Sequence, residues 1–160
     1  MRSEEQANKA IDMYADTVRR ICMLHLKSPA DTEDIFQNVF LKYVLHDDDF
    51  TDQEHEKAWI IRVTINACRD QLKSFFRSRT VPLDAIAELA EQPPAEYSEV
   101  LEAVLSLPTK YKDAVYLYFY EQYTAVEISK ILGKKVNTIY TLLARAKSML
   151  KDKLGGEDFD

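Results

Sequence analysis

Glycine is nearly missing from this sequence: three residues in 160, two of them adjacent near the C-terminus. A chain built of many tight β-turns needs more, so the scarcity points to helices. No apolar run approaches the length of a membrane span. The N-terminus, "MRSEEQANKA", is polar and lacks the apolar stretch of a signal peptide. The expectation is a cytoplasmic protein with no membrane insertion. Cysteine is limited to Cys22 and Cys68, each inside an apolar helical pattern, where both read as small core hydrophobes. The three histidines, His25, His46 and His55, show no HExxH or CxxC partner spacing. The "DDD" run at 47–49 aims its carboxylates in different directions and reads as a solvated loop. There is no nucleophile–base motif and no phosphate-cradling glycine loop. An enzyme reading has nothing to stand on, and no cofactor or metal is expected.

What is present is charge in blocks. The net charge of −6 speaks against a simple nucleic-acid binder. Its distribution says otherwise. Residues 30–56 hold nine acids and one lysine, whereas residues 57–79 hold six cations and one acid. Residues 80–98 hold four acids and no cation, and Thr124 to Lys153 hold seven cations and two acids. Two basic blocks alternate with two acidic ones, which suggests surfaces for different partners.

Apolar periodicity places the elements. Ala7, Ala10, Ile11, Tyr14, Val18, Ile21, Cys22 and Leu26 step by threes and fours and predict a helix from Gln6 to Leu26. "SPAD" breaks it at Pro29, and Asp31 or a neighbour can cap a second helix reaching about Leu45. "HDDDFTDQEHE" reads as a polar loop, followed by a long helix from about Glu56 to Arg77. Its "WIIRVTIN" segment is β-branched enough for a strand. The spacing of Ile61, Ile65, Cys68, Leu72 and Phe76 favours helix instead, and no second strand candidate exists to pair with it. Residues 78–98 carry three of the five prolines and read as an acidic tether, whose reach is at most roughly 70 Å. Helical patterning resumes at Glu99. The predicted fold is all-α: two small helical domains joined by an acidic linker. The boundaries are 1–78, linker 79–98, 99–154 and a tail 155–160.

Three faces stand out. In the C-terminal half, Thr124 caps a short helix, Ala125 to Leu132, which Gly133 ends in a left-handed turn. A second helix starts near Val136. On it Val136, Leu142, Leu143, Ala146 and Leu150 lie within about 60° of Ile139, making a buried stripe. Asn137, Thr141, Ala144 and Ser148 oppose that stripe, flanked by Tyr140 and Arg145, with Lys147 and Lys151 at the rim. Small and amide-bearing residues can approach base edges while rim cations meet phosphates, the arrangement of a helix-turn-helix in a major groove. An ordinary αα-hairpin with a solvated lysine face is the bland alternative. On the long central helix, Arg62, Asn66, Arg69, Lys73 and Arg77 form a polar stripe with Trp59 at its N-terminal edge. That suits single-stranded or melted DNA; a solvated face with Trp59 buried is the alternative. The start of the second helix, "DTEDIFQNVFLKY", puts Asp31, Glu33, Asp34, Gln37 and Asn38 on exposed positions, with Phe36 and Phe40 among them. It fits solvent or a basic partner protein.

Together "ADTEDIFQNVFLKYV", "KAWIIRVTINACRDQLKSFFRSR" and "VLSLPTKYKDAVYLYFYEQYTAVEISKILGKKVNTIYTLLARAKSML" resemble a small two-domain bacterial RNA polymerase sigma factor of the extracytoplasmic-function (ECF) type. The segments occur in the family's order and cover most of the chain. The resemblance implies that Asp31, Glu33, Asp34, Gln37, Asn38 and Phe40 dock on core RNA polymerase. It implies that Trp59, Arg62, Asn66, Arg69 and Lys73 act at the minus-ten element, melting promoter DNA and holding a non-template base. It implies that Lys135, Asn137, Thr138, Tyr140, Thr141, Arg145 and Lys147 meet the minus-thirty-five element. An anti-sigma factor is a further implied partner. The chain departs from the family where Tyr140 replaces a frequent basic residue and Leu142 a frequent arginine, and in the acidity of "HDDDFTDQEHEK". A repressor or activator working without polymerase, and a purely structural adaptor, are the rival readings.

Overall fold

The computed structural model describes residues 1–26, 28–78 and 98–154. The chain divides into two compact units, Met1–Glu91 and Gln92–Asp160. Among the described residues every regular element is helical. The greater part of the linker expected over 79–98, and the tail at 155–160, lie outside them.

Three helices build the N-terminal unit: α1 (Glu4–His25), α2 (Pro29–Leu45) and α3 (Gln53–Ser78). Ser3 caps α1 reciprocally. Its hydroxyl accepts from the Gln6 N–H at 3.2 Å, and the Gln6 side chain accepts from the Ser3 N–H at 2.9 Å. α2 begins two residues before the expected cap. Ser28, not Asp31, is the N-cap, with Pro29 in the first turn, where a missing N–H costs nothing. Asp31 supplies instead the N–H that Ser28 Oγ accepts, at 3.4 Å. α3 likewise starts at Gln53 rather than near Glu56. The Asp52 carboxylate accepts the His55 N–H at 2.8 Å, so part of the expected loop is helix. "WIIRVTIN" lies within α3, as its longer periodicity requires.

Each of these helices packs on the other two. Ala10, Tyr14, Val18, Ile21 and Cys22 of α1 face Ile35, Val39, Phe40 and Tyr43 of α2 and Ile60, Ile61, Ile65 and Cys68 of α3 across a buried core. Each such aliphatic side chain contributes about 1.5–3 kcal/mol relative to exposure. The two cysteines are buried in the thiol form, 3.9 Å apart between α1 and α3. Thr64, also buried, returns its hydroxyl proton to the Ile60 carbonyl at 2.7 Å, so no donor is stranded. One polar tie joins all three helices. Glu56 accepts from Tyr14 at 2.8 Å and from Tyr43 at 3.0 Å.

The C-terminal unit comprises α4 (Ser98–Leu105), α5 (Thr109–Val115), α6 (Ala125–Leu132) and α7 (Val136–Leu154). A single π-helical turn, Tyr116–Tyr120, extends α5. α7 packs on α4, α5 and α6. The tyrosine-rich segment Tyr111–Tyr123 divides between core and surface. Tyr111, Tyr116, Leu117 and Tyr123 are buried, whereas Tyr118, Phe119 and Tyr120 are exposed beyond two-fifths. Gln122 then takes a left-handed φ of 63°, and the chain re-enters helix at the Thr124 cap.

Candidate nucleic-acid interfaces

The C-terminal face is set by two local devices. Thr124 Oγ1 accepts the Glu127 N–H at 3.1 Å, and the Glu127 carboxylate accepts the Thr124 N–H at 2.9 Å, which starts α6 cleanly. Gly133, at φ 65°, ends it in the left-handed region; the Lys134 N–H then bonds back to the Ser129 carbonyl at 3.0 Å. A side chain at 133 would meet nothing nearby, so the glycine serves the backbone conformation rather than space. With the turn so defined, α7 buries Ile139, Leu142, Ala146 and Leu150 and leaves Val136 and Leu143 half-buried. Lys135, Asn137, Thr138, Tyr140, Thr141 and Arg145 all lie exposed, and so do Ala144 and Ser148; Lys147 is half-buried. The Thr141 hydroxyl donates to the Asn137 carbonyl at 3.0 Å, which leaves its oxygen able to accept.

On α3 the stripe is also outward. Arg62, Asn66 and Lys73 are exposed, and Arg69 is half-buried. Trp59 matches neither extreme of the sequence reading. It is half-buried, with its ring in an aromatic cluster. The His46 ring lies 4.6 Å away, Phe50 5.6 Å and Tyr43 6.3 Å, centroid to centroid. Such a cluster restrains the indole while leaving part of it accessible, which suits base stacking with little rotamer loss. Sequence reasoning missed Phe50, His46 and Tyr43 as partners. The only signal was an aromatic residue stranded in a polar loop, "HDDDFTD".

The acidity of that loop is partly spent inside the protein. Asp52 caps α3. Asp47 lies 3.0 Å from the Met1 α-amino group, whose hydrogen bond and charge hold its carboxyl below the usual carboxylate range. Beneath the loop, burial and the Glu56 carboxylate raise the Tyr43 hydroxyl above its ordinary range, and the Tyr14 hydroxyl further still. Both phenols therefore stay protonated as donors to Glu56.

The third face is the acidic one on α2. Glu33, Asp34, Gln37 and Asn38 are exposed and Asp31 is half-buried. Their engagement differs. Asp31 accepts from the Gln71 amide of α3 at 3.4 Å, and Glu33 pairs with Arg19 of α1 at 3.8 Å. Asp34 makes no ion pair among the described residues. Phe40 departs from the surface expectation. It is 5 % exposed, with its ring 4.8 Å from Phe36, and can reach a partner only through the helix it anchors. Phe36 takes the surface position, half-buried under the Arg19 guanidinium at 4.4 Å. Beyond it the exposed face continues over Leu41 and Leu45.

Among the described residues no helix is long and apolar enough to cross a membrane, and no group of side chains is placed to hold a metal ion.

Comparison with known proteins places these faces in context. Residues 10–79 match the family described as Sigma-70 region 2, and residues 97–150 the family described as Sigma-70, region 4. The chain is 30% identical over 146 residues to the ECF RNA polymerase sigma factor SigM of Bacillus subtilis (strain 168), covering 87% of this chain and 89% of that one. It is 23% identical over 167 residues to SigW of the same organism, covering 90% and 86%. Among solved structures, the sigma factor RpoE in complex with the anti-sigma factor NepR from Bartonella quintana shares the fold. There the TM-score is 0.76 at 19% identity, covering 92% of this chain and 96% of that one. CnrH, in complex with the cytosolic domain of CnrY, matches with a TM-score of 0.68 at 18% identity, covering 96% and 90%.

Proposed function

The chain belongs to the ECF RNA polymerase sigma factors, which direct polymerase to promoters, and on that premise we propose how its three faces divide the work. Residues 1–78 dock on core RNA polymerase and act at the minus-ten element. Residues 79–98 tether the units, 99–154 read the minus-thirty-five element, and 155–160 form a tail. On α2 the exposed acids and amides, Glu33, Asp34, Gln37 and Asn38, meet a basic surface of the polymerase, with Asp31 at their edge and Phe40 holding the helix in place. On α3, Arg62 and Lys73 bind the phosphates of the separated strand. Asn66 and the accessible part of Trp59 meet an unstacked base, and Arg69 supports the stripe. On α7, Asn137, Thr138, Tyr140 and Thr141 meet base edges, while Lys135, Arg145 and Lys147 meet phosphates.

One observation carries this reading. The cationic and amide residues of α3 and of α7 stand outward on separate units, while the acids of α2 stand outward on a different helix from either. A protein that binds DNA at two places and a basic protein at a third needs that separation. The acidic net charge then makes DNA binding weak for the free chain and effective only when polymerase contributes its own contacts. The same reading gives the chain no catalysis of its own, no cofactor, and a cytoplasmic place of action with core polymerase and promoter DNA as partners. An anti-sigma factor is a further proposed partner, since the RpoE relative was solved with one bound.

Run-off transcription on genomic promoter fragments, with core polymerase and the purified chain, tests the proposal. Discrete transcripts that require both components are expected. If no fragment yields a transcript above core polymerase alone, the reading is wrong. Tight, specific DNA binding without polymerase would favour a repressor or activator instead.

A further inference from the structure

Arg2, the residue before the α1 N-cap, holds four residues at once. The Arg2 N–H donates to the Val44 carbonyl at 2.8 Å, and its guanidinium reaches the Tyr43 carbonyl at 3.5 Å. Both carbonyls belong to the last turn of α2, where a cation is favoured; the Tyr43 carbonyl also accepts the His46 N–H at 3.3 Å. The guanidinium also donates to the Asp48 carbonyl at 2.8 Å, in the loop between α2 and α3. Its central carbon lies 4.7 Å from the Tyr43 ring centroid and 5.0 Å from that of Phe50. Those two rings are parallel within 2°, at 6.2 Å. Phe50 in turn stacks on His46 at 5.4 Å and faces Trp59 at 5.6 Å.

The loop this clasp restrains is strongly acidic. Residues 46–52 hold Asp47, Asp48, Asp49 and Asp52 and one apolar anchor, Phe50. Mutual repulsion among the acids opposes a compact loop, and it would place negative charge beside a site meant for DNA. Arg2 opposes that by supplying a cation, donors to the Val44, Tyr43 and Asp48 carbonyls and a flat surface against Phe50.

We infer that Arg2 is a positioning residue for the minus-ten reading: it pins the 46–52 loop and Phe50 so that Trp59 is held ready to stack on a base. The inference rests on the proposed role of Trp59. Arg2 itself touches no DNA. It acts through Phe50, and its effect belongs to strand opening rather than to polymerase docking, because the α2 acids lie at the other end of that helix.

The test uses the full chain with three variants, Arg2→Leu, Arg2→Lys and Trp59→Ala. Trp59 is the only tryptophan, so its fluorescence reports the cluster directly. In Arg2→Leu the emission is expected to move to longer wavelength and acrylamide quenching to rise. Affinity for core polymerase should stay within about twofold, while open-complex formation on duplex promoter falls roughly tenfold, the scale of lost charged hydrogen bonds. Arg2→Lys keeps the charge without the planar fork, so an intermediate rate is expected. If Arg2→Leu opens promoters at the unmodified rate while Trp59→Ala is impaired, the inference fails and the minus-ten reading survives. If Trp59→Ala also opens normally, both fall. A parallel loss of core affinity and opening in Arg2→Leu would mean general destabilisation of the unit and would overturn the positioning role.

Discussion

Charge reversal at Asp34 tests the polymerase-docking face most cleanly, because the structure separates its acids by how much they already do. Asp31 is held by Gln71 and Glu33 by Arg19, so changing either disturbs the N-terminal unit as well as any interface. Asp34 is exposed and has no ion pair among the described residues. Asp34→Lys should therefore leave folding stability within about 0.5 kcal/mol of the unmodified chain. Its effect on docking can be bounded. Unit charges 4 Å apart interact by about 1 kcal/mol in water and about 4 kcal/mol at the effective dielectric of a protein surface. Exposed pairs measured in isolation lie at the low end of that range, since entropy and screening erode them. Reversal replaces an attraction with a repulsion of similar size, so a loss of about 1–3 kcal/mol is expected, roughly 5- to 150-fold in Kd. Fluorescence anisotropy of labelled chain titrated with core polymerase measures it. The loss should shrink as salt rises from low to physiological strength, because exposed charges are screened. An unchanged Kd at low salt, with thermal unfolding also unchanged, would refute the assignment of this face to polymerase.

Four further outcomes are expected. Arg145→Ala should weaken holoenzyme binding to promoter by about 1–3 kcal/mol, measured by competition binding, with little change on DNA lacking the upstream element; equal affinity would remove α7 from the major groove. Asn66→Ala should impair promoter opening more than initial binding, seen as weaker permanganate reactivity of the melted region at saturating holoenzyme; normal reactivity would remove Asn66 from the open complex. Tyr14, 2 % exposed, and Tyr43 both have raised pKa values, against an ordinary value of 10.0. The folded unit keeps protons that the unfolded chain has released, so stability is full below pH 10 and falls as pH rises above it, by up to ~1.4 kcal/mol per pH unit per tyrosine. Glu56→Ala should cost about 2–4 kcal/mol near neutral pH, by stranding the Tyr14 hydroxyl, and should flatten that alkaline slope. Urea denaturation at neutral and alkaline pH measures both, and unaltered neutral stability would show that the tie carries no net energy.

The sequence by itself determined the features that depend on neighbours a few residues apart. Helix faces follow from a 3.6-residue period, so the buried stripe of α7 and its outward residues were legible, as was the turn at Gly133 from its conformational freedom. The α3 stripe, the acidic start of α2 and the division into two units were legible for the same reason. Local competition among caps was less so. Ser28 and Asp52 moved two helix starts, because whichever side chain actually reaches the free N–H wins, and several nearby residues qualify. Only the tertiary structure decided what lies far apart in the chain. Phe36 and Phe40 sit one helical turn apart on α2, and only packing decides that Phe40 is buried while Phe36 stays half-exposed. Which α2 acids are occupied depends on Arg19 and Gln71, residues on other helices. The surroundings of Trp59 depend on Phe50 and on Arg2, drawn together from the loop and from the start of the chain. Periodicity reports which way a side chain points; it carries no information about which distant group arrives to meet it, because that is settled by three-dimensional packing.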